Sequence, residues 1–304
     1  MTPGHPYAWD PHIAAWSVLV VAGLAIVIGH RRLSRREGDE TPWPPKQKVA
    51  LAGGWVAAAV ALTWPLADLA AHWSLIVLVL QRVLLTLAVP ALVLLGMPYD
   101  VLRWLTRPAP VDAVLDWCRS PIKAVLVFTV VMVGSMTIPL VEAQASSPGV
   151  RGGIDLVVLA AGFVLWLPVI GRVPGILRLK PVIRFGYLVV QAIVPAFLSF
   201  IYIFASHPLY AAFTHSHLAV GLRPLNDQQV SGFVSKLSML LVLLTVAAVV
   251  LKRAPDSDEE DTGDEPLLWA DVERELERVD RRNERVTKNG LDPDPQLPPE
   301  DRGP

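Results

Sequence analysis

Seven long apolar blocks dominate the sequence and decide what kind of fold it can adopt. They span residues 13–29, 49–66, 75–95, 122–141, 154–171, 183–205 and 232–251. A helix needs roughly 17–25 such residues to cross about 30 Å of hydrocarbon. The blocks are apolar nearly all round, whereas the helices of a soluble protein would carry a polar stripe at helical spacing. The sequence therefore predicts an all-α, polytopic membrane protein with seven transmembrane helices.

Nearly all the charge lies in the connections between the blocks and in the C-terminal tail, and its distribution predicts the orientation. Every second connection is rich in basic residues, which are Arg31, Arg32, Arg35, Arg36, Lys46, Lys48, Arg103, Arg107, Arg119, Arg172, Arg178, Lys180, Lys252 and Arg253. The alternate connections hold only Arg151 and Arg223. By the positive-inside rule the N-terminus faces out and the C-terminus faces the cytoplasm. Residues 1–10 have no basic segment ahead of the first block, so a cleavable signal peptide is not expected.

The same pattern divides the chain into three parts. Residues 1–12 form an outer N-terminal segment, residues 13–251 the seven-helix membrane domain, and residues 252–304 a cytoplasmic tail. The tail begins with a charged, proline-punctuated stretch that is predicted to be disordered. Residues 266–287 then place apolar side chains at alternating four- and three-residue steps, the pattern of a short coiled coil. This stretch is interpreted either as a helix that binds a coiled-coil partner or as a solvated helix held by Glu–Arg pairs.

Histidines concentrate on the predicted outer side, and only His30 faces the cytoplasm. The densest group is His207, His215 and His217, and His72 lies at the end of the second block. Because imidazole binds Cu, Zn, Fe and Ni, these four outer histidines are candidate metal ligands. The alternative is that they simply face solvent or lipid headgroups. A Cu(I) thioether site is not predicted, because the methionines share no known spacing with these histidines.

Several classes of function lack their sequence signature. The chain contains no glycine-rich phosphate loop, no HExxH motif and no paired cysteines, since Cys118 is the single cysteine. The membrane core also lacks the multiple acidic residues expected of a proton or ion pump. A haem or quinone-linked enzyme has little support, because no pair of histidines lies within the blocks.

The third apolar block contains a charged residue, in the stretch "LVLQRVLLTLAVP". Gln81 and Arg82 sit side by side there, and Arg82 is seven residues, or about 10 Å, from the outer end of the third block. Arg82 can extend to the headgroups, or it can face the bundle and pair with an acid. The acids near the outer helix ends are Asp68, Glu142 and Asp155.

Short motifs follow one another in a fixed order between residues 49 and 251. In the third block the matching positions are Gln81, Leu84, Leu85, Pro90, Gly96 and Pro98. Further on they are Gly162, Trp166, Pro168, Pro208, Leu209, Tyr210, Asp227, Gln228, Gln229 and Gly232. In order and spacing these motifs resemble the cytochrome c oxidase assembly factor CtaG family, whose members are seven-helix proteins implicated in maturing a copper-containing oxidase.

The resemblance fails where that family carries histidines. The two histidines of its third-helix motif correspond to Leu78 and Arg82, and the histidine near the end of its fourth helix corresponds to Thr137. The His-x-x-x-His entry to its fifth helix corresponds to Arg151 and Asp155. The intramembrane copper ligands implied by the resemblance are therefore absent. Because two of these positions carry opposite charges, we expect Arg82 and Asp155 to form an ion pair that fills the former metal site.

The resemblance implies a non-enzymatic assembly factor in the bacterial cytoplasmic (inner) membrane. It would assist copper-centre maturation of a respiratory cytochrome c oxidase on the outer face, as a scaffold without its own metal site. The expected partners are oxidase subunits or other assembly factors and the lipid bilayer, with no nucleic acid. Copper is the one cofactor that the resemblance suggests, and its direct handling would use the outer histidines.

A second function remains open from the residues themselves. A membrane transporter or channel for a small solute or metal ion would need a polar path through the bundle. Its candidate lining residues are Gln81, Arg82, Gln228 and Gln229. Such a protein would contain a water-filled cavity that is accessible from both sides.

Overall fold

Every regular element in the described part of the chain is a helix. The computed structural model describes residues 5–37, 43–106, 108, 111, 115, 120–173, 179–193 and 196–252. Its α-helices are α1 (Ile13–Glu37), α2 (Pro45–Leu62), α3 (Leu66–His72), α4 (Leu75–Val83), α5 (Val89–Gly96), α6 (Tyr99–Leu105), α7 (Pro121–Ser135), α8 (Ile138–Ser146), α9 (Pro148–Ile170), α10 (Pro181–Ile193), α11 (Ala196–Ile203), α12 (Ser216–Val220) and α13 (Pro224–Lys252). A π-helical turn (Leu84–Ala88) joins α4 to α5, and a 3₁₀ turn (Ala211–Phe213) precedes α12. The predicted all-α fold is confirmed.

Six segments are long and apolar enough to cross a membrane. They are Ile13–Arg35, Pro45–His72, Leu75–Gly96, Pro148–Ile170, Pro181–Ile203 and Pro224–Lys252. The pair α7 and α8 passes the same test together but is bent by 63°, so the chain has six candidate spans, or seven if this pair is one span. The orientation of the termini stays a prediction. The predicted tail, with its helix near 266–287, lies outside the described residues except for Lys252.

Two of the apolar blocks are interrupted next to a proline. The second block breaks between α2 and α3, where Pro65 lies just before Leu66. The fourth block bends between α7 and α8, and Pro139 occupies the first turn of α8. Proline has no N–H and its ring clashes with the preceding turn, so a helix does not continue through it undisturbed. Because of these breaks, α3 and α8 are short helices. Both contact the 3₁₀ turn, so all three elements lie at the same end of the bundle.

Two other helices begin earlier than the apolar blocks predict. Helix α9 starts at Pro148 and not near residue 154, because the side chain of Ser147 accepts a hydrogen bond from Val150 N at 3.4 Å. A serine cap followed by proline at the first helical position is a strong helix start. Asp155 therefore lies seven residues inside α9 instead of at its beginning. Helix α13 likewise starts at Pro224, which places Asp227 in its first turn.

The segment Leu75–Gly96, formed by α4, the π-helical turn and α5, is the centre of the bundle. In its apolar window 61% of the residues are buried, compared with 11% for Ile13–Arg35 and 22% for Pro224–Lys252. Helices α2 and α9 pack directly against it. We call this segment the central span. Most of its side chains are therefore surrounded by protein rather than by lipid.

Candidate functional site

The most deeply buried basic side chain of the described residues lies in the central span. Arg82 is 1% exposed, and its Nη1 donates a hydrogen bond to Asp155 Oδ1 at 2.5 Å. Its Nη2 donates to Gln144 Oε1 at 2.7 Å. Gln81 Nε2 donates to the carbonyl of Ala61 at 2.9 Å and reaches Asp155 Oδ2 at 3.5 Å. We call Gln81, Arg82, Gln144 and Asp155 the Arg82 cluster.

The Arg82 cluster decides between the two interpretations of this arginine. Its guanidinium faces the bundle and is paired with Asp155, so it does not extend to the headgroups. The carboxylate balances the charge, and Gln144 takes up a second N–H group. Within the described residues Arg82 Nε and Gln144 Nε2 have no hydrogen-bond partner. The cluster is thus neutral in sum but tightly constrained, and loss of either charge would leave the other buried and uncompensated.

Copper does not fit at this position. A guanidinium group carries five donors and no lone pair for a metal, and Leu78, at the other third-helix position, is buried among apolar side chains. The hydrogen bonds from Arg82 already neutralise Asp155. A metal ion would have to displace a cation that is bonded to two side chains. The residues present therefore make a closed ion pair and not a metal site.

Helix α9 packs on the central span through three motif residues. Gly162 and Trp166 belong to α9, and Pro90 belongs to the central span. Pro90 has no N–H to donate to the carbonyl of Thr86, four residues earlier, and Trp166 Nε1 donates to that carbonyl at 3.0 Å. A Cβ atom on Gly162 would lie 2.7 Å from Pro90 Cγ and 2.8 Å from Thr86 Cα. Only glycine permits this close approach of the two helices.

The other end of the central span is held by Gly96. A Cβ atom there would lie 2.6 Å from Leu51 Cα and 2.7 Å from the carbonyl oxygen of Gln47, both in α2. Trp43 Nε1 also donates to the carbonyl of Gly96 at 3.1 Å. Pro98 follows as the extended residue ahead of α6. Gly96 thus permits the close packing of α5 on α2.

Tyr210 stabilises the bend between α7 and α8. Its hydroxyl donates to the carbonyl oxygen of Met136 at 2.6 Å, where the helix is broken. The hydroxyl of Tyr202 lies 2.7 Å from that of Tyr210 and completes the pair. Burial raises the pKa of Tyr210, with a smaller contribution from the charge of Glu142. Tyr210 therefore remains a protonated donor at neutral pH.

The Asp-Gln-Gln motif at the start of α13 binds backbone groups of two other segments, the start of α4 and the connection that follows α11. Asp227 accepts hydrogen bonds from Ser74 Oγ and Leu75 N, both at 2.7 Å, and so caps the N-terminus of α4. Gln228 Oε1 accepts from Leu209 N at 2.7 Å, and Gln229 Nε2 donates to the carbonyl of Ala205 at 3.2 Å. A Cβ atom on Gly232 would lie 2.8 Å from the carbonyl oxygen of Ser199.

The motif residues thus share one structural task. We call them the framework residues: Pro90, Gly96, Pro98, Gly162, Trp166, Tyr210, Asp227, Gln228, Gln229 and Gly232. Most of them satisfy backbone groups where helices begin or break, or allow two backbones to approach closely. Pro90 leaves the carbonyl that Trp166 binds without its helical donor, and Pro98 lies directly ahead of α6. Each was singled out from the sequence, but the contact it makes depends on helix starts and bends that the sequence alone did not show.

The candidate metal ligands lie at the end of the bundle where α1 begins, which we call the histidine-rich end. A cleft of about 830 Å³ opens there, and His5, His72, His215 and Glu142 are among its lining residues. His207 and His217 are not among them, although the ring of His217 lies 6.4 Å from that of His215. The structure thus brings two of the four predicted ligands to one cleft, adds His5, and does not gather all four.

The comparison with known proteins agrees with the motif pattern. The family model described as cytochrome c oxidase caa3 assembly factor matches residues 25–255, which is more than half of the chain. No curated protein and no solved structure matches the chain. The matched range contains the whole Arg82 cluster and every framework residue, whereas residues 5–12 precede it.

Proposed function

Because the chain belongs to the cytochrome c oxidase caa3 assembly factor family, we propose that it acts in oxidase assembly as a membrane-embedded scaffold without a metal site inside the bundle. The observation that carries this proposal is the Arg82 cluster, which places a closed ion pair where the resemblance implies copper ligands. The proposed role contains no chemical step of the protein's own.

A scaffold needs a rigid bundle with faces that partners can recognise. The framework residues supply the rigidity, because they bind or closely contact backbone from α2, α11 and the bend after α7 as well as from the central span. The outward faces of the helices are apolar and exposed; examples are Ile122, Phe197 and Leu241. Such faces suit lipid and the spans of oxidase subunits or other assembly factors. The bacterial cytoplasmic membrane is the proposed location.

Copper-centre maturation is proposed as an indirect contribution, through the partners that the scaffold holds. A direct contribution would have to use the histidine-rich end, because the bundle interior lacks a suitable ligand set. His72 and His215 line the cleft there. We expect these histidines to have no essential role in assembly.

The transporter alternative receives no support from the contacts of its candidate lining residues. Gln81 and Arg82 are 1% exposed and Gln228 is 3% exposed. Each of them is bonded within the protein, and Gln229 binds the carbonyl of Ala205. None of the four lines the cleft at the histidine-rich end. Polar groups that satisfy helix ends and one another do not form a path for a solute.

The test is complementation in a host strain that has lost the gene and assembles a caa3-type oxidase poorly without it. One variant replaces His72, His207, His215 and His217 by alanine. We expect wild-type oxidase activity at equal protein level, together with co-purification of oxidase subunits on the tagged chain. Loss of oxidase activity in this variant, with unchanged protein level and unchanged co-purification, would contradict the scaffold and support direct metal handling.

A further inference from the structure

The N-terminal segment 5–12 is fastened to the histidine-rich end of the bundle. Tyr7 Oη donates to the carbonyl of Ala219 in α12 at 2.7 Å. His12, directly ahead of α1, places its Nε2 3.0 Å from Asp68 Oδ2 in α3. Asp10 Oδ1 accepts a hydrogen bond from the backbone N–H of His12 at 3.2 Å. Two segments that are far apart in the sequence therefore meet at one small group of side chains.

The donor atoms of that group converge. One ligand atom each from Asp10, His12 and Asp68 can be chosen so that all lie within 4.8 Å of one another. Ligand atoms around a tetrahedral Zn²⁺ with bonds of about 2.0–2.2 Å are about 3.4 Å apart. The His12–Asp68 contact of 3.0 Å is slightly shorter than this spacing, so the main change needed is a movement of the Asp10 carboxylate by up to about 1.4 Å. Asp10 is exposed and free to make this movement, while His12 and Asp68 are half-buried.

We infer that Asp10, His12 and Asp68 bind a divalent transition-metal ion of borderline softness, for which Zn²⁺ is the probe. Two carboxylates and one imidazole suit Zn²⁺ and related dications, whereas Cu(I) prefers thiolate and thioether sulfur. The site therefore differs in chemistry and place from the intramembrane copper ligands that the resemblance implies.

The charge of the group favours a dication. With His12 protonated, the two carboxylates still leave a formal charge of −1. Within the described residues neither Asp10 nor Asp68 pairs with a lysine or arginine. An ion of charge +2 takes the place of the proton between His12 Nε2 and Asp68, which is released to solvent, and the ion neutralises both carboxylates. A fourth position stays open to water from the exposed side of the group.

The competing explanation is a simple tether, in which His12 and Asp68 hold the segment to α3 without a metal. The two explanations differ over Asp10. In a tether, its side chain only accepts a local backbone hydrogen bond, so Asp10→Asn, which keeps an acceptor oxygen, changes little. In a metal site the same substitution removes a charged ligand.

The experiment is calorimetric titration of Zn²⁺ into the full-length protein, purified in detergent, stripped with chelator and freed of any histidine tag. We expect stoichiometric binding that weakens at least about tenfold in Asp10→Asn and Asp68→Asn, the loss that even an outer-shell change causes at metal sites. His207→Ala removes an exposed imidazole outside the group and serves as the matched control, with wild-type affinity.

Two results would overturn the inference: wild-type Zn²⁺ affinity in Asp10→Asn, or an equal loss of affinity in His207→Ala. Asp10 is exposed, so its variant should fold as the wild type does, and thermal unfolding of the metal-free proteins checks this. If Asp68→Asn fails to fold, Asp10→Asn alone decides. The result leaves the proposed assembly function untouched, because the scaffold role needs no metal and Asp10, whose variant decides the test, precedes the matched family range.

Discussion

The Arg82 cluster and the histidine-rich end combine the same kinds of group, carboxylates with nitrogen-containing side chains, in opposite surroundings. In the cluster, Arg82 is 1% and Asp155 8% exposed, and each charge is bonded to the other. At the histidine-rich end, His5 and His215 are exposed and line an open cleft. Burial turns a charged pair into a structural element that excludes other ligands. Exposure leaves nitrogen and oxygen atoms available for a ligand. Substitutions in the buried cluster should therefore cost more stability than substitutions at the exposed end.

Removal of one charge from the Arg82 cluster should have the largest effect. We expect Arg82→Leu or Asp155→Leu to lower the free energy of unfolding by about 3–5 kcal/mol, because the remaining charge is buried without a partner. The double variant should lose clearly less than the sum of the two single losses. Chemical unfolding in detergent measures all three. Additive losses would show that the two residues do not act as a pair.

A substitution at Gly162, where α9 and the central span approach closely, should cause the second-largest loss of stability. Gly162→Ala places a Cβ atom 2.7 Å from Pro90 Cγ, so we expect a loss of about 1–3 kcal/mol from overpacking. Gly153→Ala, in the same helix, is the matched control, because a Cβ atom there meets nothing within 4 Å. Thermal unfolding compares the two variants, and equal stability would mean that α9 does not pack so tightly on the central span.

Removal of one hydroxyl group at the bend between α7 and α8 should lower the free energy of unfolding by somewhat less than Gly162→Ala does. Tyr210→Phe removes the donor to the carbonyl of Met136, and we expect about 1 kcal/mol of destabilisation, the usual net worth of one hydrogen bond. Tyr99→Phe is the control, since Tyr99 is 57% exposed. Equal unfolding midpoints for the two variants would argue against a structural role of Tyr210 at the bend.

Substitution of an exposed histidine should have the smallest effect. His217→Ala is expected to change the free energy of unfolding by no more than about 0.5 kcal/mol, as is usual for surface positions. The same unfolding assay measures it. A loss as large as that of Tyr210→Phe would mean that His217 contributes to stability as a buried residue does, which would contradict the contrast between the buried cluster and the exposed end.

Part of this contrast could be predicted from the sequence. The apolar blocks predicted the membrane helices, and opposite charges at two motif positions suggested that Arg82 would pair with Asp155. Gln144 was not predicted to join them, because its position depends on the 63° bend before α8. The capping role of Asp227 was not predicted either, because α13 begins eight residues ahead of its apolar block.

The group at the N-terminal segment illustrates a further limit of sequence reasoning. His12 and Asp68 are 56 residues apart, and no local spacing links them. The histidines nearest to one another in sequence, His215 and His217, attracted attention instead, although only His215 lines the cleft. Tertiary packing of a loop on a short helix decides which side chains meet, and periodicity along the chain carries no information about it.

The most direct test of the scaffold is oxidase assembly in cells that carry Arg82→Leu and Asp155→Leu together. The account predicts that each single variant fails through poor folding, whereas the uncharged double variant regains protein level and oxidase activity together. A double variant that accumulates at the wild-type level but supports no oxidase activity would contradict the account, because the charges themselves would then be needed for function.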